Sequence, residues 1–389
     1  MAVKDNNTMP TTGKSRTGTG RFNQSLDGFV SLSRTDYGVT LHTQHAVAEV
    51  LVYSANVIRI KIYKKNQAVE QFSYAVVATP SGKDFNLFED EHSLILRTNA
   101  LELRIQKQPL RFAFYSPDGV LINEDEPAFG TSWIGHEVAT YKTLHEKERF
   151  IGLGEKTGNL DRRGSAYTNW NTDNFAYPVD DDPIYLSTPF YIGIKDHVIP
   201  YGIFFDNSHK TVFNFGASND RFSYFSAEDG VMDYYFIHHN SVHEIVASYT
   251  WLTGRMPLPP KWSLGYQQCR YSYYPDFEVL NAAKTFREKE IPADVIYLDI
   301  HYMNGYRLFT WHPERFPNPK KLSDELHKLG FHLVVILDPG IKREQNYPAY
   351  EEGIEQDLFV KYPDGVPYSG QVWPGWSCFP DFTKPEARA

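Results

Sequence analysis

Between about Gly28 and Val246 apolar and polar positions alternate in short runs. In Ile58-Arg59-Ile60-Lys61-Ile62 the apolar side chains recur every second residue, the period of a strand with one face buried. Leu101-Glu102-Leu103-Arg104-Ile105-Gln106 repeats the pattern. Turn chemistry punctuates the runs, as in Pro117-Asp118-Gly119 and in Asp206-Asn207, which closes the strand-like Tyr201-Gly202-Ile203-Phe204-Phe205. No long amphipathic helix stands out among them. Short strands joined by turns predict an antiparallel β-sandwich over residues 24–255.

The rhythm changes after Met256-Pro257-Leu258-Pro259-Pro260. Trp262 to Tyr271 reads as a strand, and Phe277 to Lys289 as a helix with Leu280, Ala283 and Phe286 near one face. Val295 to Leu298 is a short buried-type strand. A helix from about Pro319 carries Leu322, Leu326 and Leu329 along one stripe, with Gly330 placed to end it. His332 to Leu337 is a further apolar-type strand, stopping at Asp338-Pro339. This alternation predicts parallel βαβ units with right-handed crossovers. The strands over residues 256–389 fit a small open sheet or the first part of an eight-stranded (β/α)8 TIM barrel.

Composition narrows the function classes. The 389 residues hold 39 Lys and Arg against 48 Asp and Glu, a net charge of −9 without basic blocks, which disfavours nucleic acid as a partner. No apolar run approaches the roughly 20 residues that cross a bilayer, so no membrane association is expected. Residues 1–23 read as a disordered lead-in without a secretory leader. Cys269 and Cys378, far apart and without companions, exclude a disulfide framework or cysteine-rich zinc site and fit a cytoplasmic compartment. His238, His239, His243, His301 and His332 lack metal-ligand spacing, and no Gly-x-Ser-x-Gly elbow is present. No metal and no cofactor are expected. The 26 Tyr, 26 Phe and 7 Trp exceed what charge or turns require. Most fill β-rich cores, and some can stack on the C–H faces of sugar rings.

Candidate chemistry gathers at strand ends. In a (β/α)8 barrel functional groups emerge at the C-terminal ends of strands. Here those ends are Arg270-Tyr271, Asp299-Ile300 and Asp338. A single Asp there can simply cap the following turn. Two in succession, preceded by Arg-Tyr, favour a site. In the sandwich segment, Gly152-Leu153-Gly154-Glu155-Lys156-Thr157-Gly158 lacks Walker A spacing, and Lys156 can pair with Glu155 as readily as with a ligand. Trp170-Asn171-Thr172-Asp173 reads either as a loop offering a stacking ring and a hydroxyl acceptor or as a turn with a packed Trp. Val372-Trp373-Pro374-Gly375-Trp376 places two Trp in a polar loop, which suits a pocket wall better than a core.

Pro259-Pro260-Lys261-Trp262 through Gly265, Arg270, Tyr271 and Tyr273 resembles the first barrel strand of glycoside hydrolase family 31, the α-glucosidase and α-xylosidase family. Asp294 to Met303 resembles its second strand and Ile336-Leu337-Asp338-Pro339 its third. Phe150 to Gly158 with Trp170-Asn171-Thr172-Asp173 is similar to its N-terminal domain. The resemblance implies a galactose-mutarotase-like β-sandwich followed by a (β/α)8 barrel, and retaining hydrolysis of α-linked sugars by two carboxylates about 5–5.5 Å apart. It implies that Tyr271 lines the −1 sugar pocket, that Asp299 accepts hydrogen bonds from hydroxyls with Ile300 beside it, and that Asp338 lies deeper, near Ile336. Trp373 would form a wall, and Asp173 would reach in at the leaving-group side. The family's nucleophile lies in an Asp-Met-Asn-Glu segment, which occurs nowhere here. The expectation is therefore an N-terminal portion, truncated before strand four, whose nucleophile and acid/base lie beyond Ala389. The α-glucosidases are favoured, with α-xylosidase and α-galactosidase specificity as alternatives. Two rivals stand beside this reading: a non-catalytic carbohydrate-binding sandwich, and a complete small α/β enzyme using Asp299 and Asp338 as its own pair.

Overall fold

The computed structural model describes residues 23–69 and 71–389, and the chain divides between Met256 and Pro257 into two compact units. The lead-in expected over residues 1–23 lies outside the described residues except at Asn23. That residue opens a strand, Asn23–Ser25, paired with Thr131–Ile134.

The first unit is built from antiparallel sheets of eight, six and five strands. One core draws side chains from all three, with Ile58, Ile60 and Ile62 fully buried as their period requires. Aromatic rings fill much of it: Phe114 stacks on Phe236 at 3.8 Å, Phe150 on Phe215 at 4.4 Å, and Phe213 on Phe225 at 5.9 Å. Most of the aromatic excess is thus core.

The polar half of the alternation departs from expectation. Arg59 and Lys61 do not face water, because a helix at Val242–Thr253 covers that side of the sheet. Its Ile245 and Leu252 pack with Tyr53, Val57, Phe204, Tyr235 and Ile237 in a second apolar cluster. Asp233, opposite Lys61 in the strand register, reconciles charge with burial. The Arg59 guanidinium donates to it at 2.8 Å, and the Lys61 ammonium stands 3.8 Å away. The strand-like reading up to Val246 is corrected here. Ser241 caps the helix by accepting from the Glu244 amide at 3.3 Å and donating to its carboxylate at 2.7 Å, a serine-to-glutamate capping pair three residues apart.

The second unit carries a parallel sheet of Gln267–Gln268, Val295–Leu298 and His332–Val335. Helices Asp276–Glu288 and Pro319–Lys328 bury Val279, Ala283, Leu322 and Leu326 in its core. Asn318 starts the second helix by accepting from the Lys321 amide at 2.9 Å. Gly330, at φ 75°, turns the chain back toward the sheet. The single strand expected from Trp262 to Tyr271 is instead a 3-10 turn at Lys261–Leu264 and a two-residue strand. The Ser263 amide donates to the Pro260 carbonyl at 3.0 Å, which closes the turn before any ladder can form. A small antiparallel sheet of Ile341–Lys342, Gly375–Cys378 and Ser369–Val372 follows the last parallel strand. Among the described residues no helix is long and apolar enough to cross a membrane.

Glu148 supplies a test of the sandwich core. It accepts from the Tyr201 hydroxyl at 2.6 Å and the His145 amide at 3.1 Å, yet burial dominates and pushes its carboxyl up to about 7. The folded state therefore holds a proton that the unfolded chain has lost above its ordinary carboxyl pKa. Stability should fall as pH rises from about 5 through 7, by up to about 3 kcal/mol, and then level off. In Glu148→Gln, which keeps the shape and cannot ionise, this slope should be largely removed. Denaturant unfolding across that pH range measures it, and parallel slopes in the two proteins would refute the assignment.

Candidate functional site

In the strand Val295–Leu298, Val295, Ile296 and Leu298 are fully buried, which keeps those positions apolar. Asp299 is the first residue past that constraint. Its carboxylate accepts from the Ile300 amide at 2.6 Å and so starts a 3-10 turn, Ile300–Tyr302. The capping role and the site role thus coexist, since a carboxylate has acceptor positions to spare beyond one amide. Ile300 is buried in the core beneath the rim. The neighbouring strand end is tied alongside. The Ile336 amide donates to the Leu298 carbonyl at 2.9 Å, and the Tyr302 hydroxyl donates to the Ile336 carbonyl at 2.9 Å. Ile336 is half-buried against the same core, and Asp338 follows two residues on. Partial burial raises the pKa of the Asp338 carboxyl, and the negative charge of Asp299 raises it further.

A cluster of rings begins two residues past Asp299, at His301. Tyr271 and Trp373, both more than half exposed, stand with ring centroids 6.3 Å apart and planes tilted 41°. Trp373 sits with Pro374 at the tip of a hairpin in which Val372 pairs with Gly375, whose φ of 98° suits glycine. The His301 imidazole stacks on Tyr274 at 4.7 Å and meets Tyr271 edge-on at 5.1 Å. Its Nδ1 lies 2.8 Å from the Ser272 hydroxyl. Burial lowers the His301 pKa, the nearby Arg315 lowers it further, and Asp299 opposes both. Sequence reasoning passed over Ser272, Tyr274 and His301 as site members. The available signal was position, since His301 follows Asp299 by two residues at a strand end.

Asp173 belongs to the sandwich unit, exposed in the loop that follows the strand Ala166–Asn169. Desolvation raises the pKa of the nearby Tyr185 phenol, and the Asp173 charge adds to the rise. Lys156 fixes the base of that loop, donating to the Asp182 carboxylate at 2.7 Å and the Thr168 carbonyl at 2.6 Å. It takes Asp182 rather than Glu155 as its partner. The glycines before it serve close packing: a Cβ on Gly152 would stand 2.6 Å from the Phe190 carbonyl oxygen, and one on Gly154 2.7 Å from that of Leu186.

Two family models match the chain. Residues 256–389 match the glycosyl hydrolases family 31 TIM-barrel domain, and residues 47–214 the glycosyl hydrolase 31 N-terminal galactose mutarotase-like domain. An alpha-glucosidase 2 from Bacillus thermoamyloliquefaciens is 42% identical over 360 residues, covering 92% of this chain and 45% of that protein. An alpha-glucosidase from Saccharolobus solfataricus is 40% identical over 65% of this chain and 36% of its own length. Among solved structures, a Flavobacterium johnsoniae GH31 dextranase complexed with glucose superposes with a TM-score of 0.88 at 34% identity, covering 93% of this chain and 45% of that one. A variant of the same dextranase was solved with isomaltotriose. The chain therefore spans about half the length of the relatives it matches. Its antiparallel unit is the mutarotase-like domain and its parallel sheet a part of the family's barrel.

The pairing of Asp299 with Asp338 is testable. Asp299→Asn removes one negative charge, so Asp338 should titrate at lower pH than in the parent protein. Carboxyl-carbon NMR of the chain reads the midpoint directly. An unmoved midpoint would show that the two groups do not sense each other.

Proposed function

The chain belongs to glycosyl hydrolases family 31, and on that premise we propose that it grips the sugar in the active site of an α-glycosidase, with α-glucosides favoured. The observation that carries the reading is two consecutive parallel strand ends, Asp299 and Asp338, the first followed two residues on by His301, whose ring meets that of Tyr271 beside Trp373. An ionised carboxylate accepts two hydroxyl donors at once, and aromatic walls exclude water while covering the C–H faces of a pyranose. Asp299 has this task, and Asp338 supports it from the adjacent strand end. The relatives support an α-linked oligosaccharide as substrate, since they include alpha-glucosidases and a dextranase solved with glucose and isomaltotriose.

In the family's retaining reaction one carboxylate attacks the anomeric carbon while an acid protonates the leaving oxygen. Asp299 and Asp338 are assigned neither role, because attack requires a carboxylate under the anomeric carbon and these grip hydroxyls across the ring. The 389-residue chain alone should therefore not turn over an aryl α-glucoside, α-xyloside or α-galactoside. Turnover at a rate comparable to an intact family member would instead make Asp299 and Asp338 the catalytic pair. In an intact enzyme carrying this stretch, Asp299→Asn should lower kcat/KM roughly 10- to 150-fold, the loss of about 1.5–3 kcal/mol of charge-assisted hydrogen bonding. An unchanged value would remove Asp299 from the site.

A further inference from the structure

Of the two Trp in the tip Trp373-Pro374-Gly375-Trp376, Trp373 meets Tyr271, whereas Trp376 lines an open cavity of about 480 Å³ in the barrel unit. Arg343, Tyr362, Val366, Pro367 and Ser369 complete the lining. Backbone bonds fix its walls. The Arg343 amide donates to the Trp376 carbonyl at 2.8 Å, continuing by one residue the pairing of Lys342 with Ser377. Tyr362 and Val366 close a tight turn, the Tyr362 amide donating to the Val366 carbonyl at 2.8 Å. That turn is tied back where the Val360 amide donates to the Phe379 carbonyl at 2.9 Å, just past the strand that carries Trp376. The side chains of Trp376, Tyr362 and Val366 are each about half exposed, so a ligand can reach them.

The cation on this wall differs from its counterparts. The barrel unit has six arginines: Arg270, Arg287, Arg307, Arg315, Arg343 and Arg388. Arg270 and Arg315 lie over the rings of Tyr273 and Tyr274, Arg307 pairs with Glu344, and Arg287 and Arg388 donate to backbone carbonyls. The Arg343 guanidinium has no hydrogen bond, ion pair or ring contact among the described residues, and it is exposed. Carboxylates close to it in the chain or in the turn are engaged elsewhere. Glu344 pairs with Arg307 and Lys342, and Asp364 accepts from the Val366 amide at 3.1 Å. A guanidinium offers only donors, in a planar fork that matches a carboxylate with two parallel hydrogen bonds. Indole and phenol rings beside it cover C–H faces and bring polar N–H and O–H edges. No carboxylate and no second cation line the cavity, which suits one negative charge better than a doubly charged phosphate and disfavours a cation. Its volume lies within the ~300–1,000 Å³ of small-ligand pockets.

We propose that this cavity binds an acidic sugar, a hexuronic acid unit whose carboxylate pairs with Arg343 and whose ring lies against Trp376 and Tyr362. A sugar ring is the expected body of the ligand because the chain belongs to a family of glycosyl hydrolases. The site stands whether or not Asp299 and Asp338 perform the role given above.

The test is NMR on the whole 389-residue chain, following the Trp376 indole N–H signal, assigned through Trp376→Phe, as glucuronate is added. Glucose and benzoate, added separately, are the comparisons. Saturable shifts are expected with glucuronate, with Kd on the order of 1 mM, and glucose should bind roughly tenfold more weakly or worse. Added salt should weaken glucuronate binding. The guanidinium has no protein partner, so Arg343→Gln should leave the thermal midpoint unmoved while weakening glucuronate binding roughly tenfold. Arg343→Lys keeps the charge without the planar fork and should fall between the two. Asp299→Asn should leave the affinity as it is. Absence of a saturable glucuronate shift well above millimolar concentration would overturn the proposal, as would glucose binding as tightly as glucuronate. Unaltered affinity in Arg343→Gln would overturn it too, and so would loss of the shift in Asp299→Asn, which would place the signal at the other site. Benzoate binding more tightly than glucuronate would make the pocket one for aromatic acids and overturn the sugar assignment.

Discussion

A parallel strand covered on both faces can carry polar chemistry only at its ends, and the barrel unit is arranged by that constraint. Val295, Ile296 and Leu298 are fully buried and could not hold an unpaired carboxylate, so Asp299 is placed by exclusion as much as by selection. Asp338 stands three residues past the neighbouring strand, His332–Val335, and the parallel register brings both to one edge of the sheet. Backbone bonds between Leu298 and Ile336, and the Tyr302 hydroxyl bond to Ile336, then hold the two ends against each other. Two carboxylates held side by side need such buried anchors, because on free loops they would move apart to relieve their repulsion.

The sequence made this edge legible because the constraint writes itself into composition: an unbroken apolar run followed by Asp. The same logic carried the sandwich, where Ile58, Ile60 and Ile62 alternate and are buried. It failed at Arg59 and Lys61. A charged side chain on the second face signals water only when nothing covers that face. The cover here is a helix remote in sequence, together with Asp233 on a neighbouring strand. Neither is visible within a local window. The helix was itself obscured, since its mixture of Val, Ile, Tyr and Thr also satisfies a strand pattern, and only Ser241 with Glu244 marks its start.

Positions divide along the same line. The places of Asp299 and Asp338 past parallel strands, and of Trp373 at a Trp-Pro-Gly-Trp tip, were readable in the chain. The packing of Ser272 and Tyr274 on His301 was not, because ring stacking leaves no spacing rule, and His301 offered only its position two residues past Asp299.

At the barrel edge the Asp338 carboxyl sits above its ordinary range first because it is partly buried and then because the Asp299 charge lies near. Hydroxyl donors shared between the two carboxylates would act on both causes, replacing lost hydration and spreading the charge. Charge-assisted bonds of this kind are directional and strong, which would suit a ring that must be fixed for reaction.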